Sequence, residues 1–559
     1  MIHTGSRSFS RIAWFLIMLC LFGMVVESAT AQIARLVVLG DAAPDGNGTI
    51  SSIEPIYSLN KNGQVAFFAQ LTGTQNPDSD AHGILIANTQ SIKQLVRTGT
   101  TAPDGNGSFK YFSPNFGLLE KLVVNDNGKV AFMALLTGTA GDTSDDIGLF
   151  GASVNGGVVQ FARFPDSAPD GNGVFARTPP DGFPLPEVPD IGLSTPGVDH
   201  NGNAIFHGIL TDTSGGLGID DSGAFRSNGK TITRLVRAGE TMPGSSTDFE
   251  NIYLPLASNS SGQVAIHTAG VSVYDPVNGH LIPGLERIYI HDGAMLQEVV
   301  RDGVIIAEGN GTLTSFGEHN ISDDSRLMFL GNVGNSDNFL LDGIYLFRTD
   351  GTTLTQIARQ GQIPPGETDA SPFGINYFVG LDSSNHDKVV FSASLHRNAV
   401  PPSNISSAIY RGDGNGLTLV VHQGDAVPDG NGFFGDVAVP VFLNNNGEFV
   451  FSALLVGTDN PPDDTRGIFF VSANGTVQLV ARNGVPLLGS TILTTLFVGE
   501  FVGHALDKSD LHVGGMNLIN DSGQIAFGAV LLDGRRGIFL WPATNEPPDD
   551  DLVYGDSFE

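Results

Sequence analysis

"NDNGKVAFMA", Asn125 to Ala134, sets a polar turn directly against an apolar stretch, and nearly the same words return as "NKNGQVAFFA" at Asn60 and "NNNGEFVFSA" at Asn444. Asn first and Gly fourth suit a type I turn whose leading side chain caps the backbone and whose glycine takes the left-handed conformation of a bulge. The run that follows, Val65-Ala66-Phe67-Phe68-Ala69 in one copy, is apolar on both faces, which predicts a strand covered on both sides. The anchors stand at Asn60, Asn125, Asp199, Asn259, Ser322, Ser384, Asn444 and Asn520, eight copies in all. Ser325 and Asp387 replace the glycine in copies five and six, so those two turns are expected to be strained or differently shaped.

Each copy continues in the same way. A second strand begins near Gly83-Ile84, Gly148-Leu149, Gly343-Ile344, Gly467-Ile468 or Gly537-Ile538, and a tight Asn-Gly or Asp-Gly turn follows it at Asn155, Asn228, Asp292, Asp350 and Asn474. A third strand such as "IKQLVRTG" from Ile92 leads into a loop, often "APDGNG", and a fourth strand ends at the next anchor. Four short antiparallel strands repeated with no helical period are the blades of a propeller. The chain is out of phase with them: it opens on a lone third strand, Ile33 to Gly40, and ends its repeats on a lone second strand, Gly537 to Trp541. The fold expected is therefore an all-β, eight-bladed propeller of four-stranded antiparallel blades, closed by pairing the N-terminal strand with the last blade. An open solenoid would need capping repeats and a pair of smaller propellers would need a linker, and neither is visible.

Among 559 residues, 59 are acidic and 28 basic, a formal charge of −31 that repels nucleic acid and anionic lipid surfaces. Residues 1–31 read as a signal peptide, with Arg7 and Arg11 before the apolar run Ile12 to Val26 and cleavage expected after Ala29-Thr30-Ala31. The only cysteine, Cys20, lies in that leader, so the exported chain is expected to carry no disulfide, and no later stretch is apolar enough to span a membrane. Residues 33–541 hold the repeats, and residues 542–559 form an acidic, proline-containing tail.

The Asn-x-x-Gly-x-x-Ala-Phe copies resemble the bacterial secreted family of tandem NxxGxxAF repeats with interchangeable C-terminal anchors. The copies at Asn60, Asn125 and Asn520 carry the pattern most fully, Asp199, Asn259 and Asn444 nearly so, and Ser322 and Ser384 depart from it. The resemblance implies export and a repeat fold and brings no catalytic residues with it.

Antiparallel strands turn at alternate ends, so the Asn-x-x-Gly and Asn-Gly turns are expected on one face and the "PDGNG" and longer acidic loops on the other. The acidic face is the candidate functional face. Asp78, Asp80, Asp145, Asp146, Asp463 and Asp464 are the candidate ligands there for calcium, which prefers carboxylate and carbonyl oxygens. One basic residue per copy ends the third strand: Arg97, Arg163, Arg237, Arg301, Arg359 and Arg482, with His422 in another copy. These arginines could clamp an anionic ligand or pair with a carboxylate of a neighbouring loop. No Gly-x-Ser-x-Gly or His-Glu-x-x-His motif occurs, "GNGFFG" at Gly430 is a repeat loop, and His200, His207, His267 and His512 are scattered as structural residues would be. The expected product is a monomeric, secreted or surface-exposed scaffold that binds an extracellular glycan or protein. The alternative is a secreted carbohydrate-active hydrolase or lyase with its site in the central channel. Insertions near Arg177 to Gly197 and Thr491 to Met516 could cover that channel's mouth.

Overall fold

The turn that opens each repeat forms as its sequence dictates. Asn60 Oδ1 accepts from the amides of Asn62 and Gln64, both at 3.0 Å, and Gly63 takes a φ of 70°. Gly128 does the same at 71°. Ser325 is forced to 67° without the freedom of glycine, which bears out the strain expected of the fifth copy. Asp387 lies outside the described residues. A computed structural model of the chain describes residues 33–542 apart from 113–121, 177–192, 194–196, 217, 254–255, 272, 276–279, 283, 307–310, 336–342, 368–372, 384–387, 398–404, 438–440 and 497–517. The leader, the acidic tail and most of both insertions therefore fall outside it.

Blade 1 shows the pattern of the rest. Its strands Thr49–Leu59, Val65–Thr72, His82–Ala87 and Ile92–Arg97 pair antiparallel in chain order. A structural blade thus takes its first strand from the end of one sequence copy and the other three from the next. Among the described residues there is no α-helix, and the only helical turn is the short one at Asp142–Ser144.

The two apolar faces of the second strand are buried in different places. Val65, Phe67 and Ala69 pack with Ile525, Phe527 and Trp541 of blade 8, while Ala66 and Phe68 pack with Val130 and Phe132 of blade 2. Every blade is a filling between two others, which explains why no alternating polar face could be read in that strand.

The ring closes as the phase of the repeats requires. Blade 8 consists of Ser490–Leu496, Ile525–Leu531, Arg536–Trp541 and, as its fourth strand, the N-terminal Ala34–Val38. Ala34 pairs with Leu540 and Val37 with Ile538. The structure is an eight-bladed, all-β propeller.

First strands of successive blades touch one another, Thr49–Leu59 against Val123–Val124, Gly197–Val198 against Ala257–Ser258. They line the axis. The two faces also sort as expected: Asn47 of a "PDGNG" loop donates to Asp80 of a long loop at 2.8 Å, so both loop types share the upper face. The Asn-x-x-Gly turns lie on the lower one.

Candidate functional site

The upper face carries a fastening built the same way in four blades. In blade 1, Asp45 accepts the Asn47 amide in its own loop at 3.0 Å and receives Arg97 Nη1 at 2.7 Å. Arg97 Nε donates to the Asp80 carbonyl at 2.6 Å and Nη2 to the Asn47 carbonyl at 2.8 Å. Asn47 Oδ1 accepts the Gln75 amide at 2.7 Å. The guanidinium, only 4% exposed, therefore ties the loop before the first strand, the loop after the second and the end of the fourth. Arg163 does so with Asp104, Asn106 and Asp145, Arg237 with Asp170, Asn172 and Asp220, and Arg482 with Asp429 and Asp464.

These four arginines are internal clasps. A planar fork with donors on three sides suits acceptors in two loops, three of them for Arg97, Arg163 and Arg237 and two for Arg482, and a lysine could not serve them together. Arg301 differs: it is half exposed and stands 3.5 Å from Glu298 of its own strand. Arg359 is half-buried, and residues 307–310 and 336–342, which precede and follow the first two strands of its blade in the chain, are outside the described residues.

The candidate calcium ligands divide in the same manner. Asp80, Asp145 and Asp464 are buried, and each accepts from the asparagine of its clasp, at 2.8, 2.8 and 3.1 Å. Burial alone would push their carboxyls up, but the neighbouring threonine hydroxyl, the asparagine amide, a backbone amide and the clasp arginine together hold them below the ordinary value. Asp146 is buried at the start of a strand, whereas Asp78 and Asp463 are exposed at the loop tips. Among the described residues no three His, Cys, Asp or Glu side chains are grouped to hold a metal ion.

The lower face has a different chemistry. Asn60 Nδ2 donates to the Asn125 carbonyl at 3.0 Å, Asn125 to that of Asp199 at 3.0 Å, Asn259 to that of Ser322 at 3.0 Å and Asn444 to that of Asn520 at 2.9 Å. Where Asp199 has no hydrogen to give, the His200 amide reaches the Ser260 carbonyl at 3.2 Å. The leading Asn is thus both a turn cap and a staple between blades, a role that sequence spacing did not disclose.

Inside that rim stand the second residues of the turns, which differ from blade to blade: Lys61, Asp126, His200, Ser260, Asp323, Asn445 and Asp521. Asn445 Nδ2 lies 3.2 Å from Asp521 of the next blade and equally 3.2 Å from Asp323, two blades away in the other direction. Only side chains converging on the axis can skip a blade. Lys61 Nζ is 3.0 Å from Asp126 Oδ2, and His200 Nδ1 is 3.8 Å from the same oxygen. The hydrogen bond that Lys61 donates to Asp126 raises the lysine above its ordinary pKa against the opposing effect of burial, with the charges of Asp521 and Asp323 adding to the rise. Asp323 belongs to blade 5, opposite blade 1, so its charge is felt across the axis.

A second non-repeated cluster sits between blades 4 and 5. His267 Nε2 is 3.1 Å from Glu286 Oε2, which also accepts the Phe316 amide at 2.9 Å. The Tyr253 ring lies 4.5 Å from the His267 ring and is 36% exposed, and the buried His319 stands edge-on at 6.0 Å. His267, named above among the scattered histidines, is therefore packed in one group with His319. The legible signal was negative: the loop before the first strand of blade 4, "TMPGSSTD" from Thr241, lacks the "PDGNG" of the clasp. In blade 6, Ser406 Oγ at 2.9 Å and Glu367 Oε1 at 3.2 Å both approach His422 Nε2. A nucleophile relay needs the hydroxyl and the acid on opposite ring nitrogens, so this trio is not one.

A family profile of unknown function, DUF7453, matches residues 21–192 and 191–549. The chain belongs to that family. No curated protein matches this DUF7453 sequence. Among solved structures it is similar to the β-propeller domain of the Trilobed protease from Pyrococcus furiosus, with 11% identity and a TM-score of 0.35 over 77% of this chain and 99% of that one. It is similar to the Dos1 propeller at 8% identity and a TM-score of 0.38, over 94% and 99% of the two chains. An α-L-arabinanase from Penicillium chrysogenum is similar at 12% identity and a TM-score of 0.29, over 66% and 97%.

Proposed function

We propose that this DUF7453 propeller is an exported binding scaffold, secreted or held at the cell surface, whose extracellular ligand meets the axial rim of the Asn-x-x-Gly face. One observation carries the reading: the clasp charges that repeat from blade to blade are spent inside the ring, while the residues that differ between blades, from Lys61 to Asp521, converge on the axis. The rim offers carboxylates, an ammonium, an imidazole and an amide, a hydrogen-bonding array that suits a polyhydroxylated or cationic ligand. A lysine held as ammonium acts there as a charge and not as a base. The repeat pattern supports membership of the exported NxxGxxAF class.

Thermal shift against a glycan panel tests the proposal. A ligand of the rim should raise the melting temperature of the wild type but not of Asp323→Asn or Lys61→Met. A ligand that stabilises all three alike places binding elsewhere.

Calcium belongs to the same proposal, on the exposed tips at Asp78 and Asp463. Exhaustive chelation should then lower the melting temperature. An unchanged melt with no metal by elemental analysis removes calcium from the reading.

The second reading, a carbohydrate-active enzyme, draws on the three carboxylates Asp126, Asp323 and Asp521 around the axis. It requires release of sugar ends from a polysaccharide that disappears in Asp323→Asn.

A further inference from the structure

Blade 6 replaces both parts of the clasp: its loop before the first strand reads Pro364-Pro365-Gly366-Glu367 in place of "PDGNG", and its arginine is a histidine. Its fourth strand, Leu417–His422, ends in His422 where Arg163 and Arg237 end theirs. The backbone shows the positions to be equivalent: the His422 amide donates to Asp425 at 2.7 Å as the Arg163 amide donates to Asp166 at 2.8 Å. The amide after it, Gln423, reaches the Ser407 carbonyl at 2.9 Å, as Thr98 reaches that of His82 in blade 1 at 2.9 Å. The acid comes from the loop before the blade's first strand, as Asp45 and Asp104 do: Glu367 Oε1 lies 3.2 Å from His422 Nε2.

A guanidinium keeps its charge at every pH a protein survives, whereas an imidazole changes charge between about pH 5 and 8. We propose that the His422–Glu367 contact is a proton-controlled clasp, so that the upper loop of blade 6 is fastened in mildly acidic surroundings and loosened as the pH rises, while the arginine clasps stay shut.

The surroundings fix which proton matters. Nε2 must carry its hydrogen to meet Glu367, with Ser406 Oγ at 2.9 Å on the same nitrogen, so the second proton enters at Nδ1. Glu367 is the carboxylate that faces the ring from the loop, Asp425 is engaged by the backbone of His422, and Tyr410 of the third strand is buried with its hydroxyl pushed up by burial and by the charge of Glu367. An imidazolium attracts a carboxylate where a neutral imidazole gives it only a hydrogen bond, so the fastening is the stronger one in acid.

Melting temperatures of the wild type, His422→Arg and Glu367→Gln at about pH 5.5 and pH 8 test this. Comparing each variant with the wild type at the same pH cancels every other titrating group. His422→Arg should gain on the wild type more at the higher pH, and Glu367→Gln should lose more at the lower. Differences independent of pH overturn the proposal. If His422→Arg fails to fold, Glu367→Gln decides through the NMR titration of the His422 ring. Its midpoint should move to lower pH without Glu367, and an unmoved midpoint overturns the clasp.

Discussion

Asn520 and Asn60 stand 460 positions apart and are hydrogen-bonded: Asn520 Nδ2 donates to the Asn60 carbonyl at 3.1 Å. This staple closes on the lower face the ring that Val37 and Ile538 close within blade 8. It also separates two duties of one side chain, because Oδ1 of Asn520 caps the amides of Ser522 and Gln524 at 3.1 and 3.0 Å. Asn520→Asp keeps the cap and removes the donor. The buried Asn60 carbonyl would then face a carboxylate, and a loss of about 2 kcal/mol is expected. Asn520→Ala, which removes both duties, should lose more. Equal losses by urea unfolding would mean that the cap adds nothing beyond the staple, and an Asn520→Asp as stable as the wild type would mean that the staple contributes nothing.

The clasps should be intolerant of lysine. Arg163, 2% exposed, donates to the Asp145 carbonyl at 2.7 Å, Asp104 at 2.6 Å and the Asn106 carbonyl at 2.9 Å. Arg163→Met leaves the Asp145 and Asn106 carbonyls without their donor and the exposed Asp104 without its ion pair, and is expected to cost about 2 kcal/mol, the scale for leaving acceptors unpaired. Arg163→Lys restores one charge but only part of the fork. It should recover less than half of the loss, and full recovery in denaturant melts would show that charge alone matters.

How far the sequence could be read follows from the range of each interaction. The Asn-x-x-Gly turn, the hairpins and the out-of-phase ends are local or periodic signals, so blade number and the pairing of Ala34–Val38 with Arg536–Trp541 were legible. The repeated arginine was legible as a feature but not in its contacts. Arg97 reaches a carboxylate 52 positions back and a carbonyl 17 back, and nothing in one strand says which loop folds over it. The rim was missed for another reason. A turn's second residue looks like any exposed polar side chain until eight blades bring Asp323 and Asn445 together, and the same holds for His267 and His319.

Buried histidines make the ring acid-sensitive well above the carboxylate range. Burial lowers His207 and His319 from 6.5 to about 4. A folded-state value below the unfolded one means that the unfolded chain binds the extra proton first. Stability is therefore full above about pH 6.5 and is lost as the pH falls toward 4, by roughly 3 kcal/mol for each group. His207 occupies the place of Leu330 in blade 5. His207→Leu should flatten the pH dependence of unfolding across that window, and an unaltered profile would show that His207 is protonated in the native protein.

The N-terminal strand should decide whether the ring holds. Val37 and Leu36 are buried in the same cluster as Ile538 and Trp541, and the backbone of Val37 passes so close that a Cβ on Gly537 would meet its oxygen at 2.4 Å. Removing residues 33–40 leaves Arg536–Trp541 as an open edge beside an apolar face, where each lost aliphatic contact weighs roughly 1.5–3 kcal/mol. Trp541 reports on this place. It is 7% exposed, its ring is 5.4 Å from that of Phe470, and the only other tryptophan of the chain is Trp14. A protein beginning at Asp41 should therefore show red-shifted emission, a lower melting temperature and a tendency to aggregate beside one beginning at Gln32. A peptide of residues 32–40 supplied in trans should reverse all three by filling the vacant edge. If truncation leaves emission and melt unchanged, blade 8 is stable with three strands and the pairing of Val37 with Ile538 does not hold the ring shut.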